Sequence, residues 1–171
     1  MEQTKTNKTQ NLPESNPLIE VRNTVISSYS DTTFRIEWIK NYKGIDFVND
    51  AKSSSVLMSL EAMEQCNANL IWIASDENLM TDLHLIKDVL AEKVRAIIYV
   101  SNKSNPTLEQ GCKDLVKNVL RLGTLEEAVQ ASLSFAQESD CVLFSPASPS
   151  YLKLETIAKR GELFNSIVNK L

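Results

Sequence analysis

Two short segments concentrate residues able to hold an anion. The first is Asn49-Asp50-Ala51-Lys52-Ser53-Ser54-Ser55, which follows an apolar stretch and precedes a helix-like one. A lysine and several hydroxyls around the free N–H groups of a helix start can bind a phosphate or carboxylate. Asp50 and the serines serve equally as ordinary helix caps. The second segment is Ser145-Pro146-Ala147-Ser148-Pro149-Ser150, where two prolines stiffen a serine-rich turn. An anion site and a rigid strand-to-helix turn both fit it. Neither segment has a Gly-rich phosphate-wrapping pattern, and the chain has four glycines in 171 residues. A kinase or ATPase acting alone therefore lacks its basic apparatus, and no catalytic residue is assigned.

Other chemistries have little material. His84 is the sole histidine and stands in the apolar-periodic stretch Leu83-His84-Leu85-Ile86, which reads as a structural position. Cys66, Cys112 and Cys141 match no Cys-x-x-Cys spacing and read as free, buried or half-buried thiols. No metal site and no Ser–His–Asp triad is expected. The net charge of -4 argues against nucleic acid as a partner. No apolar run approaches the roughly 18 residues of a membrane helix, so no membrane partner is expected. Met1 to Pro17 is polar and lacks a secretory apolar core. These features together point to a cytoplasmic protein.

The elements that must position the two segments follow from periodicity. Residues 1–17 read as a disordered polar tail and 18–171 as one domain. Leu18 to Tyr29 has the spacing of a short helix. Phe34 to Ile39 alternates like a half-exposed strand, Asn41 to Gly44 is turn chemistry, and Ile45 to Val48 is the returning strand of a hairpin. Ser53 to Gln65 places Val56, Leu57, Leu60 and Met63 on one helical face. Apolar strands follow at Leu70–Ala74, Val94–Val100, Val119–Leu122 and Cys141–Phe144. Helices are expected at Thr81–Glu92, Leu108–Leu115, Thr124–Gln137 and Ile157–Leu171. The helix at Thr124 opens with a capping box, with Glu127 three residues on. This alternation predicts a Rossmann-like, doubly wound α/β domain: a mostly parallel sheet of about six strands, helices on both faces and an initial β-hairpin. In such sheets ligands bind at the carboxyl ends of strands, where both serine-rich segments fall.

The residues in these positions resemble a known family. Gly44 to Ser55 (GIDFVNDAKSSS) is similar to the Mur ligase signature in which an apolar strand runs into Asn-Asp-Ser-Lys-Ala-Thr-Asn. Val142 to Phe164 (VLFSPASPSYLKLETIAKRGELF) resembles the C-terminal signature of the D-glutamate-adding members, without a gap from Ser145 to Gly161. Phe34-Arg35-x-Glu37 matches the family's His-Arg-x-Glu. The resemblance runs from about Leu18 to Leu171 and is to the C-terminal domain of the family.

The resemblance implies part of an ATP-dependent amide ligase of peptidoglycan precursor synthesis. The family's C-terminal domain closes over ATP and carries the incoming amino acid. It implies nucleotide contacts at Arg35, Asp50 and Lys52, and amino-acid contacts at Ser54, Ser150, Leu154 and Asn78. The last group departs from the family pattern. The loop whose lysine pairs with D-glutamate aligns with Ala74-Ser75-Asp76-Glu77-Asn78, which has no lysine. The implied partners are the family's UDP-sugar and P-loop ATPase domains, in cis or in trans. ATP would be held weakly or only together with them, and Mg2+ only through the central domain. The chain alone is expected to be inactive. A non-catalytic binding module derived from a Mur ligase is the alternative. A domain that normally packs on others can also self-associate through an exposed apolar patch.

Overall fold

A computed structural model describes residues 33–75, 82–149 and 156–171. Phe34–Leu171 forms one compact unit. The expected tail, the helix at Leu18–Tyr29, and the candidates Asn78, Ser150 and Leu154 lie outside the described residues, as does Glu77.

The unit opens with strands β1 (Glu37–Tyr42) and β2 (Ile45–Asn49), an antiparallel hairpin. Lys43 and Gly44 make its two-residue turn with φ of 52° and 80°, the doubly left-handed geometry that matches strand twist. Helix α1 (Val56–Gln65) leads to β3 (Leu70–Ser75). A 3-10 turn (Leu83–Leu85) and α2 (Lys87–Lys93) lead to β4 (Val94–Val100). Helix α3 (Pro106–Lys113), β5 (Asn118–Leu122), α4 (Leu125–Ser132), β6 (Cys141–Phe144) and α5 (Ile157–Asn169) complete it.

The sheet order is β1-β2-β6-β3-β4-β5, and every pairing beyond the hairpin is parallel. Successive residues of β3 feed opposite cores. Leu70, Trp72 and Ala74 pack with Met63, Leu90 and Leu108, whereas Ile71 and Ile73 pack with Val129, Phe144 and Phe164. Helices therefore cover both faces, as a six-stranded doubly wound sheet requires. Strand β6 comes last but inserts between β2 and β3, so the connections leave the β2/β6/β3 centre in opposite senses. The carboxyl ends there are the place where such folds bind ligands.

Several boundaries differ from expectation. Phe34–Ile36 is not strand: Phe34 and Ile36 have φ of 63° and 50°, and β1 begins at Glu37 and runs on through Tyr42. Leu57 is 58% exposed, and the buried face of α1 is Val56, Ser59, Ala62 and Met63. The helix expected at Thr81–Glu92 is divided, with Ile86 (φ -117°, ψ 9°) between the 3-10 turn and α2. His84 is exposed there, outside the core. Helix α3 begins earlier, because Asn105 caps it and Pro106 suits its first turn. Helix α4 has the expected capping box at Thr124 and Glu127 but ends at Ser132.

Candidate functional site

Strands β2 and β6 lie side by side, with Asn49 opposite Phe144. The two serine-rich segments therefore leave the sheet together. Asp50 N–H donates to Phe144 O at 2.8 Å, and Ser145 N–H donates to Ile73 O at 3.1 Å. These bonds continue the parallel ladder one residue past the strands.

The polar side chains between them form one chain. Asp50 is fully buried. Its Oδ2 accepts from Ser145 Oγ at 2.7 Å, and its Oδ1 accepts from Arg35 and from Ile36 N–H. Ser145 Oγ lies 2.6 Å from Ser59 Oγ, which lies 2.6 Å from Ser53 Oγ. The carboxylate fixes the direction of this chain. When ionised it only accepts, so Ser145 then donates to it, Ser59 to Ser145, and Ser53 to Ser59. Trp72 Nε1 donates to Ser145 O at 2.8 Å and fixes the same corner from β3.

Burial pushes the Asp50 carboxyl above its ordinary range, against the lowering effects of Ser145, Arg35 and Ile36. The ion pair with Arg35 argues the other way, but Asp50 has no exposed surface and desolvation dominates. Arg35 spans two carboxylates, reaching Asp50 through one terminal nitrogen and Glu61 Oε2 through the other at 2.6 Å. Its side chain is 19% exposed. The guanidinium is thus partly exposed, and the Asp50 carboxylate it pairs with is buried.

The left-handed residues on either side of Arg35 present it in this way. Phe34 N–H donates to Glu37 Oε2 at 3.2 Å, and Phe34 O accepts from Lys52 N–H at 3.0 Å. A β-branched residue at positive φ is costly, about 1–3 kcal/mol, and persists only where surrounding bonds enforce it. The Asp50 carboxylate supplies that bond at Ile36. Ala147, in the other loop, is also left-handed (φ 57°) and fully buried.

Arg160 and Gly161 of α5 lock the two loops together. Arg160 is 1% exposed. Its Nε donates to Ala51 O at 2.6 Å, and its terminal nitrogens to Ser148 O at 2.9 Å and Ser53 O at 3.3 Å. One guanidinium thus ties both serine-rich loops to one helix. Gly161 leaves room for Phe34: a Cβ there would stand 2.4 Å from the ring. Its carbonyl accepts from Asn49 Nδ2 at 2.9 Å.

Of the expected site residues, Arg35, Asp50 and Lys52 stand around the β2 carboxyl end, and Arg35 and Asp50 touch. Ser54 precedes the N-cap of α1, and its Oγ lies 3.3 Å from Met58 Sδ. Sequence reasoning does not single out Arg160, Ser59 or Trp72. The Arg-Gly pair stands within a matched motif, but an arginine inside a helix reads as solvated. Cys66, Cys112 and Cys141 are free thiols as expected. No group of three or more His, Cys, Asp or Glu suited to a metal occurs among the described residues. None of their helices is long and apolar enough to cross a membrane.

Comparison with known proteins is consistent with this geometry. No protein-family model matches the chain. It is 30% identical over 146 residues to the UDP-N-acetylmuramoylalanine–D-glutamate ligase of Desulfitobacterium hafniense, covering 85% of this chain and 32% of that protein. It is 30% identical over 148 residues to the enzyme of the same name from a Hydrogenobaculum strain, covering 85% and 34%. The chain thus spans about a third of the length of these relatives, corresponding to their C-terminal third. Among solved structures it resembles a MurF ligase from Thermotoga maritima, determined in complex with ADP. The TM-score is 0.50 at 14% identity, over 90% of this chain and 37% of that one.

Proposed function

We propose that this chain, a Mur ligase-like C-terminal domain similar in sequence to the D-glutamate-adding ligases, closes over ATP in amide ligation. The reaction belongs to peptidoglycan precursor synthesis in the cytoplasm. ATP phosphorylates a substrate carboxylate, and the amine of the incoming amino acid attacks the acyl phosphate. The observation that supports this reading most is the union of the two loops, through Ser145 to Asp50 and through Arg160. It brings both loops into one polar cluster at the carboxyl ends of β2 and β6.

Arg35 and Lys52 are the nucleotide-side residues. Asp50 acts beneath them: its buried carboxylate presents Arg35 and holds the backbone at Ile36. Ser54, with Ser150, Leu154 and Asn78, belongs to the amino-acid side. The 171 residues contain no phosphate-wrapping loop, so turnover needs a UDP-sugar domain and a P-loop domain, in cis or in trans. Mg2+ enters with the latter. A non-catalytic module is the second reading, favoured by the missing lysine in Ala74–Asn78.

The test joins this chain to the N-terminal and central portions of the Desulfitobacterium relative. Phosphate release is followed with ATP, Mg2+, the UDP-muramoyl-alanine substrate and D-glutamate. The proposal expects ligation by the fusion, none by the chain alone, and a raised KM for ATP in Arg35→Ala and Lys52→Ala fusions. A fusion that binds ATP but does not ligate supports the second reading. Turnover by the chain alone refutes both.

A further inference from the structure

The opposite end of the sheet carries a second constellation, unrelated to the nucleotide-side loops. Cys66, immediately after α1, and Cys141, the first residue of β6, line one cleft of about 420 Å3, together with Asn41, Asp46 and Ser139. The backbone sets them side by side. Cys141 N–H donates to Asn69 O at 2.9 Å, Cys141 is in register with Leu70, and Asn69 is three residues past Cys66. Both side chains border that one cleft, Cys66 from the end of α1 and Cys141 from the first residue of β6.

Their surroundings differ in the way a reactive pair requires. Cys66 is half-buried, whereas Cys141 is 4% exposed. Lys93 Nζ donates to Cys66 O at 3.2 Å and to Met63 O at 3.4 Å, which holds an ammonium at the end of α1. The neighbouring Cys141 thiol lowers the Cys66 thiol below its ordinary range, and Lys93 assists against burial. The nearby Cys66, with burial, pushes Cys141 up. The more accessible sulfur is thus the one favoured as the attacking nucleophile. Cys112 offers the contrast: it is buried and its thiol is pushed up to about 11 by desolvation alone.

We propose that Cys66 and Cys141 form a redox site that a hydroperoxide oxidises to an intramolecular disulfide. The Cys66 thiolate attacks the O–O bond of hydrogen peroxide. An S–O bond forms, hydroxide leaves, and Cys66 becomes a sulfenic acid. The Cys141 sulfur then attacks the Cys66 sulfur. The S–O bond breaks, an S–S bond forms, and the departing oxygen leaves as water with the protons of the two groups. Overall, two thiols and one peroxide give one disulfide and two waters. The bond links α1 to β6, the elements already joined near the other site by Ser59 and Ser145. It closes a long loop, which constrains the unfolded chain and raises Tm.

The test treats the full chain with hydrogen peroxide and counts thiols in denaturant. The proposal expects three thiols to fall to one, and an intact mass lower by two hydrogens. A non-reducing peptide map should join the Cys66 and Cys141 peptides, leaving Cys112 free. In the untreated protein, iodoacetamide should label Cys66 about tenfold faster than Cys112. Cys141→Ser should stop at a sulfenic acid on Cys66 that dimedone traps, and Cys66→Ser should leave Cys141 reduced. Overoxidised Cys66 beside a free Cys141 thiol overturns the proposal. So does a disulfide only between two chains, or labelling of Cys66 no faster than of Cys112. If a serine variant fails to fold, the peptide map of the unaltered chain decides alone.

Discussion

Replacing Arg160 by methionine tests how the crevice is held together. The substitution keeps a long side chain and removes the guanidinium that donates to Ala51, Ser53 and Ser148 carbonyls. Each buried acceptor left without a donor costs about 1–3 kcal/mol. Three at the lower bound give about 3 kcal/mol. Recovering the arginine's own desolvation offsets part of this, and the loops relax slightly, so a net loss of about 2–3 kcal/mol is expected. For a unit of this size that is a fall in Tm on the order of 6–12 °C. Urea unfolding followed by tryptophan fluorescence measures it. Trp72 is fully buried and bonded to Ser145 O, so it reports on this corner. The midpoint should fall with little change in slope. A loss under about 1 kcal/mol would refute the idea that Arg160 locks the two loops.

Three further predictions concern the same region. Asp50→Ala should cost about 2–4 kcal/mol, because it leaves Ser145 Oγ and Ile36 N–H without their buried acceptor and takes one of Arg35's two carboxylate partners, and Asp50→Asn only about 1–2 kcal/mol. The amide still accepts from Arg35 and can donate to Ser145 if the serine chain reverses; equal costs in urea unfolding would contradict that direction of donation. The pH dependence has a definite sign: the folded-state pKa of Asp50 is raised above its ordinary 3.8, so folding takes up a proton between the two values. Its contribution is present below 3.8 and is lost as pH rises through the folded value, so Asp50→Asn should gain on the unaltered chain as pH rises from 4 to 7 in parallel urea titrations. A constant gap would count against the burial argument. Gly161→Ala places a methyl 2.4 Å from the Phe34 ring and should cost about 1–3 kcal/mol, with Phe34→Ala in the same chain recovering part of it in a double-mutant cycle.

What is legible in the sequence is what depends on neighbours along the chain. The Thr124–Glu127 capping box, the Lys43–Gly44 turn and the apolar runs of β3, β4 and β6 carry local signals, and they appear where expected. The two serine-rich loops are visible because each follows a strand. Their meeting is not, because it depends on β6 inserting between β2 and β3, and sheet order leaves no local mark. Phe34–Ile36 alternates like a strand, yet period-2 counting cannot register two left-handed residues held by Asp50 and Glu37. Ser59 fails the apolar test for a buried face although Ser53 and Ser145 satisfy its hydroxyl. Arg160 looks like a surface charge because its partners are carbonyls more than ten residues away.

A nucleotide-side crevice built on Arg35 and Asp50 is tested most directly by an amide chemical-shift titration of the isotopically labelled chain with Mg·ATP. Weak, saturable shifts confined to residues 34–37, 50–55 and 145–149 are expected, and Arg35→Ala should abolish them. Shifts centred on the Cys66–Cys141 cleft, or a response unchanged in Arg35→Ala, would contradict that assignment.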